Sequence, residues 1–186
     1  MLKKYLRSIY TEPRENLTSR TISDSSLSIA NRLLQLPNWN YSYYHLFLSI
    51  TEKKEIDTSF IMSILQGKDK NILLPKMVDK QNLVNYLLTD STHIKKNRWN
   101  IPEPVDGIEV PPEKIDVVFL PLMAFDKKGH RVGYGKGFYD VLLNKCRPDV
   151  VKVGLSLFAA EEEIEDIGTH DVPLNFCVTP DRIYYF

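Results

Sequence analysis

The sequence has no excess of charge of either sign, because 24 lysines and arginines balance 24 aspartates and glutamates. Proteins that hold nucleic acid by bulk electrostatics usually carry a clear basic excess, so the balance argues against that class, although it leaves room for a local basic patch. Cysteine is scarce: the chain has two, Cys146 and Cys177, and they form no CxxC pair. A disulfide framework and a structural zinc site are therefore not expected.

Long apolar runs are missing as well. No segment approaches the roughly 18 apolar residues that a membrane-spanning helix needs, and the charged residues at 3–7 are not followed by the apolar core of a signal peptide. We therefore expect a cytoplasmic monomer whose partner is neither a membrane nor a nucleic acid. A chain of 186 residues that is 43% hydrophobic and 26% charged is typical of one globular domain, here residues 1–186.

Apolar spacing divides the chain into predicted helices and strands. Residues three and four apart predict a helix that begins at Asp24 or Ser25, a second over 59–65 and a third over 138–146. Apolar or alternating runs predict strands over 43–50, 71–75, 83–88, 115–122, 151–157, 175–179 and 182–186. The segment 90–113 holds four prolines and is predicted to be a long loop.

The second half of the chain indicates the fold class. The buried strand predicted over 115–122 is followed by a glycine-rich loop, a helix and another strand. This order normally makes a crossover between parallel strands. We therefore predict an α/β fold with a mostly parallel central sheet and helices on both of its faces. The two last strands are expected to pair antiparallel at an edge.

The strongest chemical signal is the segment 131–140, Arg-Val-Gly-Tyr-Gly-Lys-Gly-Phe-Tyr-Asp, between a predicted strand and the start of a helix. Its three alternating glycines allow backbone N–H groups to approach an anion closely, and a helix N-terminus favours negative charge. Arg131 and Lys136 add charges suited to a polyphosphate. The spacing is neither that of a Walker A loop nor GxGxxG, so a flexible turn with solvated charges is the alternative.

Two aspartates are candidate metal ligands. Asp140 is expected in the first turn of the helix, where its carboxylate suits either a Mg²⁺ ion that bridges the same phosphates or the helix dipole alone. Asp171 offers a second carboxylate in the polar loop before Val172, where aspartate is also common for its turn chemistry.

Further candidates lie outside this segment. Lys3 and Arg7, four residues apart, share one face of a helix unless the basic terminus is frayed. Glu55 follows a predicted strand and is placed to hydrogen-bond a ligand, or is solvated. Trp99 suits stacking on a flat heterocycle or covering an edge of the core. His45 has no spacing typical of a triad or a metal site and is expected to be a structural or surface residue.

Three motifs resemble, in order and spacing, the 5-formyltetrahydrofolate cyclo-ligases, also called methenyltetrahydrofolate synthetases. They are Asn-Ile-Pro-Glu-Pro at 100–104, Asp-Val-Val-Phe-Leu-Pro at 116–121, and the glycine motif with its upstream residues at 125–140. Shorter segments are similar to the family's Lys-x-x-x-Arg, its strand and glutamate loop, and its C-terminal aspartate motif, namely 3–7, 47–49 with 55–58, and 170–171.

The resemblance implies a three-layer α/β/α domain. It also implies an enzyme that uses ATP and Mg²⁺ to convert 5-formyltetrahydrofolate, with or without a polyglutamate tail, to 5,10-methenyltetrahydrofolate, releasing ADP and phosphate. In that family ATP phosphorylates the formyl oxygen to give an imidoyl phosphate, N10 attacks the activated carbon, and phosphate leaves. No protein nucleophile is needed, in agreement with the absence of a Ser-His-Asp or Cys-His constellation.

The same resemblance implies three sets of site residues. ATP would be bound by basic side chains and the glycine loop, which are Lys3, Arg7, Arg131, Val132, Gly133, Tyr134, Gly135, Lys136, Gly137, Phe138 and Tyr139. The folate would be bound by Leu48, Glu55, Trp99 and Tyr134, and Mg²⁺ by Asp140 and Asp171. Lys136 and Arg131 are the catalytic candidates, since their charge would stabilise the phosphoryl group during transfer.

Two other functions agree with part of the sequence. A binding or regulatory module would keep the fold and the nucleotide loop without turnover. A different ATP-using kinase would keep the phosphate loop without needing the folate-side residues. The joint presence of the glycine loop, Glu55, Trp99 and both aspartates favours the cyclo-ligase.

Overall fold

A computed structural model describes residues 1–186. Its α-helices are α1 Lys3–Ile9, α2 Thr11–Glu15, α3 Ser19–Leu33, α4 Ser59–Gly67 and α5 Phe138–Lys145, with one-turn 3₁₀ helices at Thr51–Lys53 and Pro112–Lys114. None of them combines the length and the apolarity that crossing a membrane requires.

The predicted start of α3 at Asp24 or Ser25 is wrong. The cap is Thr18, whose hydroxyl accepts a hydrogen bond from the N–H of Thr21 at 3.1 Å. The first turn of the helix is exposed to solvent, so it has no apolar periodicity that could mark it in the sequence.

The chain forms eleven strands. They are β1 Tyr43–His45, β2 Asn71–Met77, β3 Leu83–Leu87, β4 Ile94–Lys96, β5 Pro102–Pro104, β6 Val117–Pro121, β7 Ala124–Phe125, β8 Arg131–Val132, β9 Val151–Leu155, β10 Phe176–Val178 and β11 Ile183–Tyr185. Seven of them form one sheet in the order β11-β10-β9-β6-β1-β2-β3. Neighbours from β10 to β2 are parallel and the two edge pairs are antiparallel, so the mostly parallel sheet and the antiparallel terminal pair are confirmed.

Helices cover both faces of this sheet. On one face, Leu33 of α3 and Ile61 of α4 pack in one core with Phe119 of β6. On the other face, Leu142 of α5 packs with Val118 of β6. Because both faces are buried, β6 is apolar at successive positions rather than at alternate ones. The predicted three layers and the strand, helix, strand order of β6, α5 and β9 are confirmed.

The predicted strand over 43–50 is too long. Strand β1 ends at His45. The N–H of Leu46 still donates to the carbonyl of Leu73 at 2.9 Å, and the chain then leaves the sheet. Residues 47–50 are apolar because they are largely buried in the loop that follows, not because they belong to a ladder.

The predicted loop over 90–113 is also wrong, since β4 and β5 form a hairpin there. The hairpin tolerates proline because its backbone bonds run from Asn97 to Ile101 and from Val105 to His93, each at 2.9 Å. The prolines of β5 occupy the intervening positions, where no N–H is needed.

Helix α1 is anchored by its apolar side. Leu6 is 0% exposed and lies in a small cluster with Ala124, Val132 and Ile164, which joins α1 to the β7–β8 hairpin. The N-terminal basic residues therefore lie on a docked helix and not on a frayed terminus.

We predict that Leu33→Ala lowers the free energy of unfolding by about 2–5 kcal/mol, the usual cost of truncating a fully buried leucine. Leu33 is 0% exposed, whereas the adjacent Leu34 is 47% exposed and provides a matched control. Leu34→Ala should change the same free energy by less than about 0.5 kcal/mol. Urea unfolding measures both variants, and equal losses would contradict the packing of α3.

Candidate active site

A cleft of about 1030 Å³ lies at the edge of the sheet where β1 and β6 end. Its walls are the chain after β1, the β4–β5 hairpin, the glycine loop and α1. Open α/β sheets bind ligands at this edge. The predicted site residues that line the cleft are Lys3, Arg7, Leu48, Glu55, Trp99, Arg131, Gly133, Tyr134, Gly135, Lys136, Gly137, Phe138, Tyr139, Asp140 and Asp171.

Val132 is the predicted site residue that does not line the cleft. Its side chain is buried in the cluster with Leu6, and its carbonyl accepts a hydrogen bond from the N–H of Met123 at 2.8 Å. The side chain of Val132 therefore packs in the core beneath the glycine loop and does not face the cleft.

The glycine loop turns through two left-handed residues, Gly135 with φ +87° and Gly137 with φ +74°. Residues other than glycine rarely adopt this backbone conformation. Gly137 immediately precedes α5, so the loop ends at the helix N-terminus, where unpaired N–H groups and the helix dipole favour an anion.

Helix α1 brings two basic side chains to this loop. The Nε of Arg7 donates to the carbonyl oxygen of Gly133 at 2.8 Å, and a Cβ at Gly135 would lie 3.5 Å from the Arg7 guanidinium. One turn earlier, the Nζ of Lys3 donates to Oδ2 of Asp171. Both residues line the cleft, as expected of positions on one helical face.

Arg131 and Asp140 form a second ion pair. The Nη2 of Arg131 lies 2.6 Å from Oδ1 of Asp140, and Nη1 donates to the carbonyl of Val172. The N–H of Val172 donates to the same Asp140 oxygen at 3.2 Å, so this carboxylate lies beside the loop that carries Asp171. Burial lowers the pKa of Arg131, although Asp140 opposes the shift, and the guanidinium remains charged at neutral pH.

Asp171 is held in its ionised form. Burial by itself would raise the pKa of Asp171, but hydrogen bonds from Lys3 and from the N–H of Gly168 at 2.6 Å outweigh burial and keep the pKa below its usual range. Two carboxylates thus line the cleft next to the glycine loop. Magnesium in proteins is commonly held by one or two carboxylates together with substrate phosphates, so the donor set suits Mg²⁺ bound with a nucleotide. The protein has no group of three or more His, Cys, Asp or Glu side chains that could hold a metal ion without the help of a nucleotide.

Lys136 differs from the other basic residues of the site. It is exposed in the glycine loop, and its ammonium forms no hydrogen bond or ion pair within the protein. Lys3, Arg7 and Arg131 are each held by a protein partner. Among the four basic residues around the glycine loop, Lys136 is therefore the one with the most freedom to follow a phosphoryl group.

Glu55 lies in another part of the cleft and is 6% exposed, so it is not a solvated surface acid. Its Oε2 accepts a hydrogen bond from the N–H of Ile50 at 2.7 Å. Burial raises the pKa of the Glu55 carboxyl above its usual range. Tyr134 lines the same part of the cleft, with the Nζ of Lys53 at 4.2 Å from the centre of its ring.

Trp99 and Leu48 provide apolar surface in the cleft. Trp99 lies between β4 and β5, is 50% exposed, and belongs to none of the apolar clusters. The guanidinium of Arg98 lies 4.0 Å from the centre of its ring. Leu48 is partly buried against the main core. An aromatic ring that lines a cleft without supporting the core is suited to stacking on a flat ligand.

Two buried groups behind the cleft escaped the sequence analysis. One is Arg14, which is 5% exposed. The other is a hydrogen-bonded set of three side chains, His45, Asn85 and Tyr139. Nδ1 of His45 lies 2.8 Å from Oδ1 of Asn85, and Nε2 of His45 lies 3.4 Å from the hydroxyl of Tyr139. Burial lowers the pKa of His45 to about 4, so the ring is neutral and structural, as expected. Because the Asn85 oxygen can only accept, Nδ1 carries the proton and Tyr139 donates to Nε2. These partners are 40 and 94 residues apart, which no local pattern reveals.

Comparison with known proteins shows what the chain resembles as a whole. Residues 2–180 match the model of the 5-formyltetrahydrofolate cyclo-ligase family. A 5-formyltetrahydrofolate cyclo-ligase of Haemophilus influenzae is 30% identical over 92% of this chain and 94% of its own. A probable 5-formyltetrahydrofolate cyclo-ligase of Schizosaccharomyces pombe is 27% identical over 97% of this chain and 96% of its own. The solved structure of the 5,10-methenyltetrahydrofolate synthetase of Aquifex aeolicus superposes with a TM-score of 0.85 at 29% identity, covering 100% of this chain and 93% of that one.

We predict that Gly137→Ala lowers the free energy of unfolding by about 1–2 kcal/mol, because alanine would have to adopt a left-handed conformation. Gly133→Ala is the matched control. A Cβ at either position meets no atom within 4 Å, but of the two only Gly137 has a positive φ. Gly133→Ala should leave stability unchanged or raise it by up to about 1 kcal/mol. Thermal unfolding distinguishes the two, and a harmless Gly137→Ala would refute this loop geometry.

Proposed function

The chain belongs to the 5-formyltetrahydrofolate cyclo-ligase family, and from this premise we propose that it converts 5-formyltetrahydrofolate to 5,10-methenyltetrahydrofolate with ATP and Mg²⁺. The observation that carries the proposal is that one cleft contains both an anion-binding loop with free and paired basic residues and a separate wall with Glu55 and Trp99. A kinase for another acceptor would need the loop but not this wall.

The chemistry explains why ATP is needed. The formyl oxygen is a poor leaving group, so N10 cannot displace it directly. Transfer of the γ-phosphoryl group to that oxygen yields ADP and an imidoyl phosphate. Attack of N10 on the activated carbon closes the ring, and the oxygen leaves as part of phosphate. The protein must align the phosphoryl group with the formyl oxygen and balance the charge during transfer.

The nucleotide half of the cleft supports this alignment. Backbone N–H groups of 133–139 and the N-terminus of α5 would bind phosphate oxygens. Arg7 and Arg131 are preorganised by their contacts with Gly133 and Asp140. Lys136, which no protein group holds, would follow the phosphoryl group and stabilise its charge as it moves.

Asp140 and Asp171 would hold the magnesium ion, which supplies charge neutralisation for the phosphates. In the structure both carboxylates are paired, with Arg131 and with Lys3 respectively. Arg131 and Lys3 also line the cleft, so each can contact a phosphate while the aspartate it is paired with contacts the ion. The site is thus electrostatically balanced before the ligand arrives, and ligand binding redistributes existing pairs rather than exposing isolated buried charges.

The folate half would recognise the ring system. Glu55 would accept hydrogen bonds from the pterin N–H groups, while Trp99, Leu48 and Tyr134 form its apolar walls. Three more basic side chains line the cleft, namely Lys53, Lys80 and Arg98. They suit the glutamate carboxylates of the substrate, with one glutamate or a longer tail. We further propose that the enzyme acts as a cytoplasmic monomer without a membrane or nucleic-acid partner, which sedimentation and cell fractionation would test.

The direct test mixes the protein with 5-formyltetrahydrofolate, ATP and Mg²⁺ and follows the near-ultraviolet absorbance of the methenyl product. Product is expected only with all three present. ATP hydrolysis that ignores 5-formyltetrahydrofolate but depends on another acceptor would favour a kinase. ATP binding without any turnover would favour a regulatory module.

We predict that Lys136→Ala lowers turnover at least roughly 100-fold, the effect of removing a group that stabilises transition-state charge. The melting temperature should stay constant, because the side chain is exposed and unpaired. Lys127→Ala is the control, since Lys127 is also exposed but pairs with Glu162 away from the cleft. Equal losses of activity and melting temperature would oppose the assignment of Lys136.

We predict that Asp140→Asn raises the Mg²⁺ concentration for half-maximal activity at least roughly tenfold, because a neutral amide is a poor ligand for this ion. The amide oxygen still accepts from Val172, which limits the structural change. Asp149→Asn is the control, since Asp149 pairs with Arg147 outside the cleft. A Mg²⁺ titration identical to that of the unchanged protein would remove Asp140 from the metal site.

A further inference from the structure

A second, much smaller cavity of about 10 Å³ adjoins the floor of the cleft. Glu55 and Tyr134 line both spaces, whereas Arg14 lines only the small one. The remaining walls are mostly apolar, with Phe47 and Leu122 among them. Three polar side chains from distant parts of the chain therefore converge on one small space next to the predicted folate site.

Arg14 is an unusual residue to bury there. It is 5% exposed, and its Nη1 and Nη2 donate to the carbonyls of Lys54 and Leu122, each at 3.2 Å. Its guanidinium lies 5.7 Å from the centre of the Phe158 ring. Its Nε is buried without a hydrogen-bond partner. Arg14 forms no ion pair, so none of these contacts gives its positive charge a hydrogen-bonded counterion.

Glu55 is the acid that lines the same small cavity as Arg14. One oxygen of Glu55 accepts from Ile50, which leaves the other for a ligand. The titratable groups that face Glu55 are Arg14 from α2, Lys53 from its own loop, Tyr134 from the glycine loop and Tyr139 from α5. Among them Arg14 is the buried cation, and Lys53 lies over the Tyr134 ring. The Tyr134 hydroxyl is buried and unpartnered.

We infer that Arg14 is a positioning residue for substrate recognition, because its buried charge beside the small cavity favours the ionised form of Glu55 at the floor of the cleft. This inference rests on the proposed function, in which Glu55 accepts hydrogen bonds from the pterin. A protonated carboxyl would have to donate with one oxygen and would lose that pairing. A positive charge nearby stabilises the carboxylate against the effect of burial.

The inference predicts a shift in pH dependence. Burial raises the pKa of Glu55, while hydrogen bonds and the charges of Lys53 and Arg14 oppose that rise, so removing the charge of Arg14 raises the pKa further. Loss of substrate binding on acidification should then begin at a higher pH. A residue with a purely structural role would weaken binding equally at every pH.

The experiment measures the dissociation constant of 5-formyltetrahydrofolate by calorimetry between about pH 5 and pH 8.5, in the range where buried carboxyls titrate. The variants are Arg14→Gln, which loses the charge and keeps an amide donor, Arg14→Lys, which keeps the charge, and Glu55→Gln. For Arg14→Gln the acid limb should move to higher pH by a fraction of a pH unit, below the roughly one unit that an opposite charge at ion-pair distance causes, because Arg14 and Glu55 form no ion pair. Arg14→Lys should restore most of the original profile. Glu55→Gln should bind weakly and without an acid limb.

Two outcomes overturn the inference: an Arg14→Gln profile displaced evenly at all pH values, or one identical to that of the unchanged protein. Glu55→Gln with unimpaired binding would instead refute the role of Glu55 in the proposed function. If Arg14→Gln fails to fold, the double variant Arg14→Gln/Glu55→Gln decides the coupling. It should be more stable than Arg14→Gln, because it no longer buries an uncompensated carboxylate, and no recovery would contradict the inference.

Discussion

The proposed nucleotide half of the site depends on one apolar contact, the burial of Leu6 of α1 against the β7–β8 hairpin. This contact fixes a short helix that has little other support from the sheet. Lys3 and Arg7 lie on either side of Leu6 along the helix, and docking of the helix places both at the glycine loop. A hydrophobic contact thus positions charges that by themselves would hold their places weakly in water.

The site combines preorganisation with one mobile element. Three basic residues are held by Asp171, Gly133 and Asp140, and the aspartates among these partners are the proposed metal ligands. Pairing of opposite charges reduces the cost of keeping them in a partly buried cleft. Of the four basic residues around the glycine loop, Lys136 alone has no partner. The left-handed glycines on either side of it, Gly135 and Gly137, fix the backbone from which its side chain extends. The proposed folate half follows a different principle, since burial raises the pKa of Glu55 while nearby hydrogen bonds and positive charges oppose that rise.

Much of this arrangement could be predicted from local patterns. The central strand, the glycine loop and α5 follow one another within residues 117–145, so apolar runs and glycine spacing indicated them and the crossover they form, but not the short β7–β8 hairpin in between. The β4–β5 hairpin could not be recognised by composition, because its prolines are harmless only at positions that the pairing register determines. The start of α3 was missed since solvent-exposed turns carry no apolar signal.

Arg14 illustrates a different limit. Nothing in the polar segment around it distinguishes it from a surface residue, and it is 40 residues from Lys54 and 108 from Leu122, the residues whose carbonyls it contacts. The glycine motif was recognisable because its chemistry is concentrated in one short segment, whereas the two aspartates were assigned to Mg²⁺ by the family resemblance rather than by their local pattern. Residues that act from behind the site depend on tertiary contacts, and only the structure brings them together.

The central claim is that ATP activates the formyl oxygen by phosphorylation. The most direct measurement supplies 5-formyltetrahydrofolate labelled with ¹⁸O in the formyl group and follows the label by mass spectrometry of the released phosphate. The account predicts that each phosphate acquires the formyl oxygen, in step with the methenyl product. Label that appears in water, with phosphate unlabelled, would show that the oxygen leaves without having been phosphorylated and would contradict the account.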